Sequence, residues 1–165
     1  MNNRAISSMM MKHVSLRKIL VGVYPADMLP KTHRKQKPAA YIVNTKGRNH
    51  RGEHWVVIYD PGNKAIEFFD TFGREPQKEF QTFLGDNYIY SDKIIQHPFT
   101  SVCGQYCCFY ILKRSEGLDM CDILSMFSED HLYNDILVNR VIEKTFSIDL
   151  DVVDIQQSKQ HTFEY

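Results

Sequence analysis

The chain has 165 residues, 43% of them hydrophobic and 12% aromatic, with 20 Lys and Arg against 20 Asp and Glu and a formal net charge of zero. That length favours one domain, residues 1–165, whose core buries roughly two-thirds of the unfolded surface. A zero balance excludes a global field drawing the chain to nucleic acid or anionic membrane, and the longest apolar run falls far short of the ~20 residues of a membrane span.

The opening stretch, MNNRAISSMMMKHVSLRKIL, has no continuous apolar signal core and no cleavage site, so the expectation is a soluble intracellular protein that is not secreted. HVSLRKILVGV, residues 13–23, reads as the start of a helix. Residues 24–38 hold three prolines and the cations Lys31, Arg34, Lys35 and Lys37, which predicts an irregular exposed connection. AAYIVNT (39–45) is apolar and β-branched and reads as a strand, and KGRNHRGE (46–53) as a polar loop. HWVVIYD (54–60) is the clearest strand, closed by PGNK, with AIEFFDTF (65–72) as its hairpin partner. EPQKEFQTFL (75–84) reads as a helix with Pro76 in its first turn. NYIYSDKIIQ (87–96) supplies one or two short strands. A helix is predicted from Cys103 to about Glu116, stopped by Lys113, Arg114 and Gly117, with two more helices around 121–127 and 129–145. IDLDVVDI in the tail reads as an edge strand or a loose end. Strands precede helices rather than alternating with them, which favours an α+β fold, a sheet packed by helices.

Three of the four cysteines fall in SVCGQYCCFY, residues 101–110. Cys103, Cys107, Cys108 and Cys121 do not make a disulfide scaffold in a reducing compartment. Their spacing also lacks the paired C-x2-C of zinc ribbons, so no metal site is expected. Cys103 instead sits where the main apolar helix begins, and a helix N-terminus lowers a thiol's pKa through unpaired N–H groups and partial positive charge. A thiolate nucleophile needs a histidine within hydrogen-bond reach and a carboxylate to hold the imidazole tautomer. His54 opens one strand, and Asp70 ends the next. The backbone N–H of Cys103 and the amide of Gln96 are natural oxyanion donors, and Gly104 keeps space clear beside the reacting atoms. Taken singly, each residue has a plainer account: a core cysteine, a packed histidine, a turn aspartate. It is the set in this order that points to catalysis.

YIVNTKGRNHRGEHWVVIYDP, IEFFDTFG and QHPFTSVCGQYCCFYIL together resemble the adenovirus endopeptidase family. The order His-Trp, acid, Gln, Cys-Gly also resembles the wider clan of SUMO-processing proteases. The resemblance implies a mixed central sheet packed by helices, with the catalytic cysteine at the N-terminus of a central helix, a papain-like arrangement in permuted chain order. It implies Cys103 as nucleophile, His54 as general base and acid, Asp70 orienting His54, and Gln96 completing the oxyanion hole. Trp55 would pack against these residues, while Gly52 and Glu53 lie where the family's substrate backbone pairs. The implied activity is a cysteine endopeptidase cutting beside glycine, maturing capsid and core precursors of a virus or virus-like mobile element, in the virion and the host-cell interior. No cofactor is required for such chemistry. A peptide or DNA activator is a family trait, but residues 71–95 contain no cysteine for the expected tether. The acid is Asp70 where adenovirus enzymes usually carry Glu. Lys31, Arg34, Lys35 and Lys37 read as a solvated loop ahead of a DNA patch. Two other readings stay open. One is a protease that removes ubiquitin-like modifiers, whose Gly-Gly termini suit the same cleft. The other is a non-catalytic interaction module stabilised by zinc.

Overall fold

The computed structural model describes residues 3–49 and 53–160. Ala39–Asn44 (β2) and Trp55–Asp60 (β3) are buried at every position, the pattern expected of strands covered on both faces. They pair antiparallel, and β3 pairs antiparallel with β4 (Ile66–Phe69). β1 (Leu20–Pro25) and β5 (Tyr88–Tyr90) flank them in parallel, giving one mixed sheet in the order β1-β2-β3-β4-β5.

Period-2 alternation sends the apolar residues to two separate cores. Ala40, Ile42, Trp55, Val57 and Phe69 pack with the helix α4 (Cys103–Ser115), whose residues from Tyr106 to Ile111 are fully buried. Tyr41, Val43, Val56, Ile58 and Phe68 pack on the other face with Phe80 and Leu84 of α3 (Lys78–Leu84). The fold is therefore α+β, as expected. α4 lies against β3 and is flanked by α1 (Asn3–Lys12), α2 (Val14–Ile19), α5 (Met120–Ser125) and α6 (His131–Gln160).

Three local expectations change. The helix predicted from His13 stops at Ile19, and Leu20–Pro25 turns into a strand on the free edge of β2. Gly22 and the β-branched and aromatic residues around it favour that outcome over a helix. Pro76 precedes the first turn of α3, because Gln77 is its N-cap. The tail segment IDLDVVDI is part of α6, since a helix already nucleated extends at one bond per residue whereas an isolated edge strand must find a partner.

Candidate active site

The hairpin of β3 and β4 brings the first two site residues together. Val57 faces Phe69 across the ladder, and the same register continued sets His54 opposite Phe72 and diagonal to Asp70. Diagonal neighbours on one face are within reach of a long side chain. His54 Nε2 lies 2.6 Å from Asp70 Oδ1, both residues being buried. The imidazole also packs on the Phe72 ring with centroids 5.0 Å apart, and the His54 backbone carbonyl accepts the Thr45 N–H at 2.9 Å.

Asp70 is held from several directions. Phe72 N–H donates to Asp70 Oδ1 at 2.9 Å, and the buried Ser91 hydroxyl bonds both the N–H (2.9 Å) and the carbonyl (2.8 Å) of Asp70. The chain then turns sharply, Gly73 N–H closing on Asp70 C=O at 3.1 Å. Gly73 has φ +65°, and a Cβ there would meet the Asp92 carbonyl oxygen at 2.8 Å, so this turn takes only glycine without strain.

With Nε2 committed to Asp70, His54 keeps its other ring nitrogen for proton exchange with Cys103, which lines the same cleft. Burial disfavours the imidazolium, but the hydrogen bonds and charges of Asp70 and Cys103 outweigh it and raise His54 to about 9. For Cys103, burial raises the pKa, but the His54 hydrogen bond and charge, with backbone N–H bonds from Trp55 and Gly104, bring it below the ordinary thiol value. Both shifts favour the thiolate and imidazolium pair over the neutral pair. α4 begins at Cys103 with no side-chain cap from Val102, so no N-cap side chain occupies the N–H groups of its first turn. Gln96 is 1% exposed. Its Oε1 accepts from the Thr71 hydroxyl at 2.7 Å, and its Nε2 donates to the Thr100 carbonyl at 3.0 Å. The same nitrogen lies 3.4 Å from the Thr100 hydroxyl oxygen, a weaker contact, and Gln96 and Cys103 line one cleft.

That cleft has a volume of about 150 Å³, with Glu53, Trp55 and Phe72 also in its wall. The arrangement can attack a carbonyl carbon, stabilise the resulting oxyanion with two N–H groups and return a proton to a leaving amine. Among the described residues no group of His, Cys, Asp or Glu is placed to hold a metal ion.

The protein shares 32% identity over 94 residues with a protease of bovine adenovirus 2, covering 47% of this chain and 46% of the relative. It shares 29% over 96 residues with a protease of bovine adenovirus B serotype 3, and 28% over 89 residues with one of human adenovirus A serotype 12. Over these segments the chain is similar to adenovirus proteases. It spans about half the length of the curated relatives it matches. No family model matches it. A crystal structure of an ASFV protease superposes with a TM-score of 0.42 and 22% identity over 62% of this chain and 44% of that one, too partial a match to assign a fold from.

Trp55 is 5% exposed and shares a core with Cys103, and Gly104 is buried in the first turn of α4. Glu53 is exposed at the cleft mouth, with its carboxylate 3.5 Å from Lys46 Nζ. Gly52 lies outside the described residues. The cysteines separate clearly. Cys107 and Cys108 are fully buried in α4, where burial pushes Cys107 well up and Cys108 up to about 12, while Cys121 is exposed. In the basic run, Lys37 is paired with Asp60, and Arg34 donates to the Lys18 carbonyl at 2.6 Å. Ser91, Thr71 and Thr100 support the site but carry no sequence signal, being common residue types whose partners lie up to 25 positions away.

Among the described residues no helix is long and apolar enough to cross a membrane.

Proposed function

We propose that this chain is a cysteine endopeptidase that cuts polypeptides beside glycine, in a single domain. The observation carrying this is one buried constellation: His54 bonded at 2.6 Å to Asp70 and lining one cleft with Cys103, the first residue of a helix that has no side-chain cap. Cys103 Sγ attacks the scissile carbonyl carbon. The carbonyl oxygen takes the negative charge and is held by the Cys103 N–H and the Gln96 amide. The tetrahedral intermediate collapses to a thioester as His54 gives its proton to the leaving amine. His54 then takes a proton from water, which attacks the thioester, and the thiolate leaves. Asp70 keeps the imidazole oriented throughout. Each oxyanion donor of this kind is worth about 3–4 kcal/mol of barrier.

The narrow cleft, about 150 Å³ between Trp55 and Gln96, supports the glycine preference, since glycine adds no side chain and lets the backbone approach closely. Similarity to adenovirus proteases supports capsid and core precursors of a virus or virus-like element as substrates, met in the virion or host-cell interior. The chemistry requires no cofactor, and an activator would act without a disulfide in residues 71–95, which hold no cysteine.

The test is Cys103→Ala. Cleavage of glycine-containing peptides is expected to vanish while circular dichroism and the melting curve stay native-like. Full activity in that variant would falsify the assignment. A Gly-Gly aldehyde built on a ubiquitin-like modifier is the counter-probe: labelling of Cys103 by it, and not by short peptides, overturns precursor processing as the role.

A further inference from the structure

Asp135, on α6, is 3% exposed, yet none of the ion pairs among the described residues includes it. A buried carboxylate without a cation must be held by hydrogen-bond donors. Its Oδ1 accepts from the Tyr106 hydroxyl at 2.8 Å and more weakly from the His97 N–H at 3.4 Å. Its Oδ2 lies 2.7 Å from the Thr100 hydroxyl, whose one hydrogen it shares with the His97 carbonyl at 2.9 Å. Those donors belong to the two segments that carry the oxyanion groups. Tyr106 sits one turn after Cys103 in α4, and its hydroxyl also lies 3.0 Å from the Ile95 carbonyl. Thr100 is the residue whose carbonyl fixes the Gln96 amide.

We infer that Asp135 is a positioning residue of the oxyanion hole, its two carboxylate oxygens tying the helix that presents the Cys103 N–H to the loop that presents the Gln96 amide. The inference deepens the protease reading above and rests on it. Asp135 never touches the substrate. It sets the separation and aim of two donors that must converge on one oxygen, and such alignment is sensitive to shifts of about an ångström. Its neighbour Asn134 reinforces the same loop by donating Nδ2 to the Ile95 carbonyl at 3.0 Å. The ion pair of His54 and Cys103 is built from other contacts, so the two functions separate.

That separation is what the experiment reads. Thr100→Val removes the Asp135 Oδ2 contact together with the hydroxyl's contacts to the His97 carbonyl and Gln96 Nε2, and leaves Asp135 bonded to Tyr106; Asp135→Ala removes the whole tie without removing a group that touches Gln96. In both, kcat should fall about tenfold with KM within about twofold, and a glycine-peptide aldehyde, which needs the oxyanion hole to hold its tetrahedral adduct, should bind about tenfold more weakly. Alkylation of Cys103 by iodoacetamide needs only the thiolate, so its rate and pH profile should not move. Thr100→Ser should restore kcat, aldehyde affinity and wild-type behaviour. If Asp135→Ala does not fold, Tyr106→Phe, which cuts the tie from the helix side without removing a group that touches Gln96, carries the same comparison beside Thr100→Val and Thr100→Ser. Unchanged kcat and aldehyde affinity in Thr100→Val overturn the inference. So does a parallel fall in alkylation, which marks a general structural role. A wild-type protein that neither cleaves nor alkylates preferentially at Cys103 takes down the protease reading and this inference together, and it does so before any variant is made.

Discussion

At the scale of single residues, the site turns on one charge state. His54 is raised to about 9 and Cys103 is lowered from the ordinary thiol value, so the ion pair exists in the window between the two. Activity should therefore follow a bell in pH. The alkaline limb falls near 9 as the imidazolium is lost, and the acid limb falls where the thiolate is protonated. Iodoacetamide reactivity should be high well below the pH at which a free thiol ionises; reactivity that only rises through about 8.5 would sink the ion pair. The sign for stability follows from the same shift. A histidine pKa raised on folding stabilises the fold fully below its unfolded value near 6.5, and the contribution is lost as pH rises through about 9. Cys103, His54, Asp70 and Gln96 were legible in the sequence because their residue types and chain order are those of one chemistry. Asp135 was not. An aspartate four positions into a helix reads as surface, and only the fold carries the loop at His97–Thr100 to it, 35 residues away by the Thr100 contact.

At the scale of elements, α4 and β4 act as one unit, since Cys103 begins the first and Asp70 follows the second. Their far ends are joined by a buried cluster. Glu67 of β4 accepts from the Tyr110 hydroxyl at 2.5 Å and lies 3.1 Å from Arg114 Nε, and Arg114 stacks over the Tyr59 ring. Tyr110 also stacks on Phe69, the residue before Asp70, with centroids 4.2 Å apart. Burial pushes the Glu67 carboxyl up, and Tyr110 and Arg114 work against that. Arg114→Met keeps the stem and removes the charge, leaving Glu67 buried without its cation. Breaking a buried pair from one side costs about 3–5 kcal/mol, so urea denaturation should show a loss of that order. A double variant that also carries Glu67→Gln should recover most of it. A loss below about 1 kcal/mol in Arg114→Met would mean that Glu67 takes up a proton and needs no partner. The strands β2, β3 and β4 and the helix α4 were legible from apolar runs and stop signals. β1 was not, because LVGVYP has no partner in the local sequence; its pairing is with β2, some 20 residues on.

At the scale of the whole molecule, charge decides how the protein meets a polyanion. Twenty cations balance twenty carboxylates, so any DNA site would have to come from a local cluster. The one basic run, Lys31 to Lys37, is partly spent inside the fold: Lys37 is paired with Asp60, and Arg34 is anchored on the Lys18 carbonyl. Lys31 lines a separate cavity of about 700 Å³, whose wall also carries Asp27 and Glu79, so the field there is mixed in sign. Burial, followed by the charge of Arg34, also lowers the Lys37 pKa. The expectation is that duplex DNA leaves kcat/KM unchanged within about twofold at ~50 mM salt, and that affinity for DNA shows almost no salt dependence. Each phosphate contact would add about −0.9 to the slope of log K against log salt. A slope of about −3 or steeper, with stimulation that fades as salt rises, would overturn this and assign the loop at Lys31–Lys37 to DNA. Replacing Lys31 and Lys35 with Gln tells the two outcomes apart: neither is among the cations seen pairing inside the fold, so only a DNA-bound protein should respond to their loss.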